Sequence, residues 1–464
     1  MKVAIVGSGI AGLAVAHTLQ GLADITLFEA GDYFGGHTHT VDITLPITAI
    51  PGPAGSGRNT PTTFGVDTGF LVFNERTYPN LIHLFAELGV ATANADMSFS
   101  VQAPVTGSNG LGGNKLEWSG SSLNTVFAQR SNLLNWRFLN MLRDLTRFNA
   151  LCSGIAQRGH EAQLSQLLGD FLDEHRFGNE FRDWYFLPMM ACIWSCPTDQ
   201  MLKFPVATMI RFCHNHGLIQ VRNRPQWRTV AGGAKHYVDK IVARIADKRL
   251  NTPVRLIERL TEADTSGASG GVRIVTDGAA EHFDKVVVAT HSDQALALLR
   301  DPTALERSTL GAIRYHANRA VLHTDASVLP GRKIAWAAWN YERGLSLNPR
   351  PGQESGQVCL HYLINLLQPL PWQQPVIVSL NPLREIARTH VMGEYHYAHP
   401  VFDLAATRAQ GQMPHLQGRR DTYFCGAWMG YGFHEDGLKA GLGVARQLLQ
   451  EIGLDATTPR AAAT

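Results

Sequence analysis

A six-residue segment near the N-terminus has the residue types and spacing that bind a dinucleotide phosphate. It reads Gly7-Ser8-Gly9-Ile10-Ala11-Gly12, a GxGxxG pattern. In such a pattern the first glycine permits a tight turn, the second lets the backbone approach a pyrophosphate, and the third lets a helix pack closely on a strand. Seventeen residues after the last glycine, Glu29 can accept hydrogen bonds from a ribose. The pattern predicts binding of the adenosine half of FAD or NAD and does not separate the two.

A second glycine pair follows closely, in Phe34-Gly35-Gly36-His37-Thr38. Two small residues there would let backbone amides reach a diphosphate or a ribityl chain from a second side. A fold that binds only nicotinamide dinucleotide does not need this segment, so it favours FAD. An ordinary glycine-rich turn is the alternative, because glycine pairs are common in turns.

A third glycine-rich segment stands near the C-terminus. Gly426 follows a short apolar run, and a turn then leads through His434, Glu435 and Asp436 into an amphipathic helical pattern. Amides at a helix N-terminus favour negative charge on a reduced flavin, and a carboxylate can accept a hydrogen bond from a ribityl hydroxyl. The alternative is that Glu435 and Asp436 only cap the helix. The density of glycine and aromatic residues favours the cofactor role.

These segments, together with 66–70 and 227–233, occur in an order that resembles the flavin-containing amine oxidoreductase superfamily over essentially the whole chain. Segments 322–325, 335–341 and 432–437 resemble a bacterial branch of FAD-binding proteins in particular. That branch is similar to the flavoprotein-like region that precedes the methyltransferase domain of plant cyclopropane fatty acid synthases. The resemblance therefore makes a lipid methyltransferase a candidate partner.

The resemblance implies an α/β fold. A discontinuous Rossmann-type FAD-binding domain would comprise 1–95, 215–290 and 415–455, with an inserted α+β substrate domain of 96–214 and 291–414 and a disordered tail of 456–464. It also implies non-covalent FAD. The residues expected at the cofactor are Gly7, Ser8, Gly9, Ile10, Ala11, Gly12, Glu29, Ala30, Gly36, His37, Thr38, Thr68, Gly69, Phe70, Leu71, Val254, Gly426, His434, Glu435 and Asp436.

Two departures from the superfamily pattern bear on the reaction. Many amine oxidases place a lysine near flavin N5, yet no lysine occurs here between Lys285 and Lys333. Several relatives have arginine where this chain has His37. We therefore expect an FAD-dependent oxidoreductase that transfers hydride from an apolar substrate, such as an acyl chain or lipid, to flavin N5. There are two main alternatives. One is an amine oxidase, and the other is a flavin-binding partner of a lipid methyltransferase that has no turnover of its own. A dehydrogenase that uses NAD alone is the weakest of the alternatives.

No catalytic acid or base can be assigned from the sequence. The polar candidates are His323, Asn340, Tyr362 and His434. Aromatic residues expected around the flavin ring are Phe70, Trp428, Tyr431 and Phe433. A second aromatic cluster either lines a substrate cavity or packs in the core; it comprises Trp336, Trp339, Tyr341, Tyr362 and Trp372. The thiols and imidazoles of Cys192, Cys196, Cys213, His214 and His216 do not have a familiar zinc-site spacing, so we predict no metal.

The elements that must position these residues can be predicted from hydrophobic patterns. Residues 2–6 and 25–28 predict two strands of a βαβ unit, and the apolar run 285–289 predicts a strand buried on both faces. Segments 254–257 and 272–275 predict a hairpin, and apolar residues at helical spacing predict helices from 131 to 186. Segments rich in glycine and polar residues predict an exposed insertion over 46–65 and hairpin tips at 106–114 and 261–271.

The overall composition narrows the class of protein. The 464 residues carry a formal net charge of +2, which offers no strong field for nucleic acid. Six cysteines over this length predict reduced thiols rather than a disulfide framework. About 18 consecutive apolar residues, the length of a membrane span, occur nowhere. These features predict a cytoplasmic protein that does not bind nucleic acid and leave peripheral membrane contact open. The expectation of a small-molecule or lipid substrate comes from the resemblance.

Overall fold

A computed structural model gives the fold and describes residues 1–47, 60–104, 115–160, 164, 166–195, 198–220, 224–261, 270–343 and 359–454. The predicted hairpin tip at 106–114, most of the tip at 261–271, Cys196 and the predicted tail 456–464 lie outside these residues.

Twenty strands lie within the described residues. They are β1 (Lys2–Val6), β2 (Asp24–Phe28), β3 (Thr40–Ile47), β4 (Thr60–Asp67), β5 (Phe73–Asn74), β6 (Thr92–Ala95), β7 (Phe99–Pro104), β8 (Lys115–Ser119), β9 (Trp227–Val230), β10 (Asp247–Arg249), β11 (Val254–Arg259), β12 (Val272–Thr276), β13 (Ala280–Phe283), β14 (Lys285–Val288), β15 (Arg314–His323), β16 (Trp339–Glu342), β17 (Cys359–Leu363), β18 (Ile377–Leu380), β19 (Val391–Val401) and β20 (Thr422–Phe424).

Fifteen α-helices lie in the same part of the chain. They are α1 (Ile10–Leu19), α2 (Pro79–Leu88), α3 (Leu123–Val126), α4 (Trp136–Gln157), α5 (Leu168–Glu174), α6 (Asn179–Phe181), α7 (Leu187–Trp194), α8 (Thr198–Met201), α9 (Val206–Asn215), α10 (Lys235–Val242), α11 (Ser292–Leu298), α12 (Ala304–Leu310), α13 (Ile364–Leu367), α14 (Leu404–Gln412) and α15 (His434–Glu451). The helical region predicted from 131 to 186 is confirmed by α4, α5 and α6.

A five-stranded parallel sheet in the order β10-β2-β1-β14-β20 organises one part of the molecule. Successive side chains of a strand point to opposite faces. Val3 and Ile5 accordingly pack with α1, α2, α10 and α15, whereas Ala4 and Val6 pack on the other face. All three valines of β14 are fully buried, which confirms the predicted two-sided burial. The predicted βαβ unit of β1, α1 and β2 is also confirmed.

The other face of the parallel sheet carries a small antiparallel sheet, β11-β12-β13, and three helices. The pairing of β11 with β12 confirms the predicted hairpin. Helices α11, α12 and α14, which fall in the segments predicted for the substrate domain, contribute Ala295, Leu310 and Ala406 to this same core. The carboxyl ends of β1, β2 and β14 open onto a cleft, where ligands bind in open α/β sheets.

A seven-stranded mixed sheet, β19-β15-β18-β17-β16-β7-β8, forms the second large layer. One of its faces packs on an α-helical layer that includes α4, α7 and α9, and the opposite face carries a smaller cluster around Val321 and Ile377. Every strand of this sheet lies within 96–214 or 291–414, and every strand of the parallel sheet lies within 1–95, 215–290 or 415–455.

The segment predicted as an exposed insertion, 46–65, has a strand at each end; Pro46 and Pro61 are exposed as predicted, whereas Gly65 is buried. Pro46 belongs to β3 and Gly65 to β4, and the two strands pair antiparallel from Thr40 opposite Asp67 to Ile47 opposite Thr60. Proline and glycine suggested a loop, but a two-stranded ribbon tolerates proline because an edge position needs no backbone donor. The remainder of this segment, 48–59, lies outside the described residues.

No helix among the described residues combines the length and the apolar character that crossing a bilayer requires.

Candidate cofactor and substrate site

The GxGxxG segment forms the tight turn that its glycines predict. Gly7 has φ +101°, and a Cβ there would lie 2.8 Å from the carbonyl oxygen of Ala289. A Cβ on Gly12 would lie 2.0 Å from the Gly7 oxygen. Gly9 differs from both, because a Cβ there would meet no protein atom within 4 Å. Gly7 and Gly12 are therefore required by the protein itself, whereas Gly9 leaves its backbone open to a ligand.

Glu29 follows β2 and joins the two N-terminal glycine segments. One carboxylate oxygen accepts hydrogen bonds from the Ser8 amide at 3.0 Å and the Ser8 hydroxyl at 2.5 Å, and the other accepts one from the Gly31 amide at 2.9 Å. The Ser8 Oγ in turn accepts a hydrogen bond from the Gly35 amide at 3.1 Å. The acid therefore organises the turn and still borders the cleft.

A cavity of about 770 Å³ runs from this turn into the core beside the mixed sheet. It brings together sixteen residues that the sequence predicted at the cofactor. They are Gly7, Ser8, Gly9, Ile10, Ala11, Glu29, Ala30, Gly36, His37, Thr68, Gly69, Phe70, Leu71, Val254, Gly426 and His434. The four aromatic residues expected around the ring, Phe70, Trp428, Tyr431 and Phe433, also line it.

Four predicted cofactor residues do not line this cavity. The Glu435 carboxylate accepts hydrogen bonds from the Asn80 and Leu81 amides at the start of α2, and Asp436 accepts them from the Tyr431 and Phe433 amides at the start of α15. These are capping contacts, because unpaired helix N-terminal amides need acceptors. Asp436 therefore matches the alternative that the sequence left open, a cap on the helix that follows the turn, whereas Glu435 caps α2, a different helix.

The remaining two, Gly12 and Thr38, lie behind the cavity wall. Gly12 is packed against the Gly7 backbone. The Thr38 hydroxyl is buried and lies 2.6 Å from the Tyr237 hydroxyl, which is itself 2.7 Å from Nε2 of His434. Thr38 and Tyr237 therefore hold His434, whose ring stacks on Phe70 at 3.8 Å between centroids. Burial lowers the pKa of His434 to about 3, so the ring is neutral at pH 7.

A histidine cluster that the sequence did not reveal surrounds His37 at the cavity wall. The ring centroids of Tyr397, His399 and His291 lie 5.1, 5.3 and 6.2 Å from that of His37. His37 Nε2 is buried without a hydrogen-bond partner among the described residues. Burial and the neighbouring histidines lower the pKa of His37 well below its ordinary value, and burial lowers that of His399 to about 4. The cluster therefore offers neutral hydrogen-bonding groups.

The polar catalytic candidates divide between two faces of the mixed sheet. Tyr362 lines the cavity, whereas His323 and Asn340 do not. His323 Nε2 lies 2.7 Å from the Ser379 hydroxyl, and the Asn340 amide donates hydrogen bonds to the Ala337 and His361 carbonyls. Both are fully buried in polar networks of the sheet, so the structure removes them from the candidate substrate site.

The predicted aromatic cluster divides in the same way. Trp339 and Tyr362 are paired across β16 and β17 with ring centroids 4.9 Å apart, and both line the cavity. Trp336 donates its indole N–H to the Pro330 carbonyl, Trp372 donates to Leu45, and Tyr341 is buried in the core. Other aromatic residues complete this end of the cavity; they include Trp194, Phe212, Trp227, Phe402 and Phe433.

The cysteines for which the sequence predicted no metal site are described only in part, because Cys196 lies outside the described residues. Cys192 and Cys213 are buried, and burial raises the pKa of both. In the described part of the chain one group, Glu342, Cys359 and His361, brings its potential ligand atoms within 4.8 Å of one another. His361 Nε2 lies 3.1 Å from the Glu342 carboxylate and 3.4 Å from the Cys359 sulfur, so these groups satisfy one another without a cation.

The residues present fit FAD. The open backbone at Gly9 can be approached by a diphosphate, and His37, whose Nε2 is buried without a partner among the described residues, lines the same cavity. The cavity also continues beyond this turn to aromatic side chains. It therefore has space for a second ring system, which a single nucleotide would not fill. The same turn is the pyrophosphate site of dinucleotide-binding folds.

Comparison with known proteins identifies the family. Residues 10–364 match the model of the family described as flavin containing amine oxidoreductase. The chain belongs to that family. It is an FAD-dependent oxidoreductase with the amine-oxidase-like α/β fold, as expected from the sequence.

Solved structures share this fold over nearly their whole length. A fatty acid isomerase from P. acnes that produces CLA is 16% identical, with a TM-score of 0.61 over 97% of this chain and 98% of that chain. Cyclohexylamine oxidase from Brevibacterium oxydans IH-35A is 16% identical, with a TM-score of 0.62 over 97% and 99%. Putrescine oxidase bound to putrescine is 14% identical, with a TM-score of 0.64 over 97% and 99%. No curated protein sequence matches the chain.

Proposed function

We propose that this flavoenzyme oxidises an apolar substrate with one oxygen-bearing end, such as a fatty acyl chain. The observation that carries the proposal is the lining of the aromatic end of the cavity. Trp339 lines that end, and its indole Nε1, which can only donate, is buried without a hydrogen-bond partner among the described residues. An acyl carbonyl or carboxylate oxygen would satisfy this donor once substrate binding turns the indole Nε1, which is closed to solvent in this structure, toward the cavity. The chain would pack on the surrounding rings.

The charges around the cavity disfavour a polyamine. Of the residues that line it, only Glu29 and Arg255 carry formal charge, and they lie beside residues predicted to meet the adenosine half of the cofactor. A diammonium substrate placed among apolar rings would lack a carboxylate partner, and burying an unpaired charge is expensive. One of the structural relatives is named as a fatty acid isomerase, and two others are named as amine oxidases. The lining of the cavity favours a fatty acyl substrate over an amine.

The chain's own residues would orient the substrate and exclude water. FAD, when bound, supplies the group that accepts hydride. Trp339 would hold the substrate oxygen, and Tyr362, whose hydroxyl is hydrogen-bonded with Ser195, would fix the neighbouring wall. The neutral ring of His434, stacked on Phe70 and held by Tyr237, provides a rigid boundary. Hydride takes one hydrogen with its electron pair, and the second hydrogen would leave the substrate as a proton to solvent, because no described residue is assigned as a catalytic acid or base.

We further propose the sixteen lining residues as the contacts of non-covalent FAD, within a two-domain division of 1–95, 215–290 and 415–455 against 96–214 and 291–414. The strand composition of the two large sheets supports this division. The resemblance to a branch that is similar to the flavoprotein-like region of plant cyclopropane fatty acid synthases supports a lipid methyltransferase as partner. Co-purification of such an enzyme with the chain tests the partnership. We propose that the protein itself is cytoplasmic.

The substrate proposal can be tested by anaerobic titration of the flavin absorption band. Fatty acids or phospholipids are added in one cuvette and putrescine or cyclohexylamine in another, with the FAD-loaded full-length protein. We expect bleaching by an acyl substrate. The variant Trp339→Phe should then require about tenfold more carboxylate for half-maximal reduction, as expected for loss of one hydrogen bond to a charged group. Trp336→Phe, outside the cavity, is the matched control.

Each other outcome would reassign the function. Bleaching by amines alone would make the chain an amine oxidase and refute the argument from the cavity lining. A yellow protein that no lipid or amine reduces would favour a flavin-binding partner of the methyltransferase. If Trp339→Phe behaves as wild type while lipid still bleaches the flavin, the proposed position of the substrate oxygen is wrong.

A further inference from the structure

An apolar patch is exposed at the beginning of α4, outside the cavity. Leu134 is 93% exposed, Leu123 81% and Trp136 70%, and Leu133 and Leu139 are exposed beside them. These five account for half of the ten large apolar side chains that are exposed in the described part of the chain. A 3₁₀ turn, Lys333–Ala335, packs against α3 and adds Ile334. We call these six residues the Leu134 patch.

The local structure holds these side chains outward. A 3₁₀ turn, Arg130–Leu134, precedes α4 and buries only Asn132. The Asn135 side chain caps α4 by accepting hydrogen bonds from two backbone amides of its first turn. On the opposite side of the same helix, Phe138 and Met141 are fully buried in the core. The core-facing side of α4 is therefore satisfied, and the exposure of Leu134 and Trp136 is a property of an ordered turn.

The charges beside the patch are basic. Arg130, Arg143 and Lys333 are exposed with no acidic partner in the described part of the chain, whereas the exposed Arg137, Arg147 and Arg332 pair with Glu180, Asp144 and Glu117. Between residues 118 and 147 the sole acidic residue is Asp144. It is buried, and its carboxylate accepts a hydrogen bond from the Gly178 amide at 2.8 Å. The patch is thus an apolar surface with a positive rim.

We propose that the Leu134 patch docks the protein on an anionic lipid surface. Leucine and tryptophan side chains insert at the boundary of headgroups and acyl chains, and basic side chains pair with lipid phosphates. A second copy of the chain fits less well, because its own arginines would face these arginines. The proposal does not depend on the substrate, since none of the six patch residues lines the cavity.

Co-sedimentation of the FAD-loaded full chain with vesicles tests the proposal. One set of vesicles is phosphatidylcholine, and the other contains phosphatidylglycerol as about a third of its lipid. We expect at least about tenfold tighter binding to the anionic vesicles, reduced by salt. The double variant Leu134→Ser/Trp136→Ser should bind at least about tenfold more weakly, through lost apolar insertion. Leu404→Ser, on α14 and 38% exposed, is the control and should bind as wild type.

A charge variant separates the two contributions. Arg143→Gln/Lys333→Gln should lose the preference for anionic vesicles, by about fivefold per charge removed, and keep its weak binding to phosphatidylcholine. Flavin absorbance and thermal unfolding report that each variant is folded.

Three outcomes would overturn the proposal. They are absence of vesicle binding by the wild type, unchanged binding by the Leu134→Ser/Trp136→Ser variant, and a dimer in sedimentation velocity that this variant abolishes. Flavin reduction is not measured in this experiment, so failure of vesicle binding and failure of the proposed substrate are distinguishable.

Discussion

Substituting Gly9 by alanine should separate cofactor binding from folding. Gly9 has φ −64° and ψ 174°, a conformation open to alanine, and the added Cβ would meet no protein atom within 4 Å. The free energy of unfolding of the apoprotein should therefore change by less than about 1 kcal/mol. The methyl group would instead stand in the cavity, at the turn where a diphosphate must approach the backbone.

The size of the effect follows from the hydrogen bonds at stake. A hydrogen bond to a charged group contributes about 1.5–3 kcal/mol, and the methyl group should disturb at least one between the turn and the diphosphate. The Kd for FAD should accordingly rise about 10- to 150-fold, at about 1.4 kcal/mol per tenfold. Quenching of FAD fluorescence during titration of the apoprotein measures the Kd, and urea unfolding of the apoprotein measures stability.

Gly443→Ala provides the control. Its Cβ also meets no protein atom within 4 Å, but Gly443 lies inside α15 and away from the cavity. Alanine there should stabilise the apoprotein by about 0.5–1 kcal/mol and leave FAD affinity unchanged. Wild-type FAD affinity in Gly9→Ala, or loss of apoprotein stability beyond about 2 kcal/mol, would refute the assignment of this turn.

Three further substitutions test other parts of the account. Glu29→Ala should raise the Kd for FAD about tenfold, because the carboxylate both orders Ser8 and borders the cleft, and full retention of affinity would contradict its role. Burial lowers the pKa of His434 to about 3, so the folded protein binds fewer protons than the unfolded chain below pH 6.5, and stability falls as pH drops through this window. Between pH 7 and pH 5 the free energy of unfolding of the wild type should fall by about 2 kcal/mol because of His434, and His434→Asn should lack this fall. The same pH profile for both proteins in thermal unfolding would count against this role. Asp67→Asn should destabilise the apoprotein by about 1–3 kcal/mol in urea unfolding, because Asp67 accepts hydrogen bonds from the Ala234 amide and Gln368 Nε2; wild-type stability would show these bonds to be dispensable.

The N-terminal part of the site could be predicted because its determinants are local. The turn, the helix and the ribose acid all occur within about 30 residues of one βαβ unit, and each glycine has a steric reason that the pattern records. His291 was missed although a signal existed. It follows the predicted strand 285–289, and the carboxyl ends of parallel strands are where ligands bind in such sheets.

The substrate end depended on strand register, which the sequence analysis did not resolve. Asn340 and Trp339 are adjacent on β16 and therefore point to opposite faces, so only one of them can line the cavity. Trp339 lies opposite Tyr362 and Asn340 opposite His361, which places the two aromatic residues together on the cavity side. His399 lies on a strand that the pattern did not predict, and nothing in its neighbourhood marks it as a cavity residue.

The two C-terminal acids show a different limit. Carboxylates after a glycine-rich turn suit either a ribityl hydroxyl or a helix cap, and the residue types are the same for both. Which of these two roles Glu435 takes depends on where the start of α2 lies relative to α15. That is a long-range contact, between Asn80 and Glu435, and local pattern does not encode it.

A single anaerobic turnover analysed by mass spectrometry tests the central claim most directly. The FAD-loaded protein is mixed with a fatty acyl substrate in slight deficit, the loss of the oxidised flavin band is recorded, and the lipid is extracted. We predict one equivalent of reduced flavin for each acyl chain that has lost two hydrogen atoms, because one hydrogen passes to the cofactor as hydride with both electrons and the other leaves as a proton. An acyl chain of unchanged mass beside an oxidised flavin, with reduction only by amines, would contradict the account.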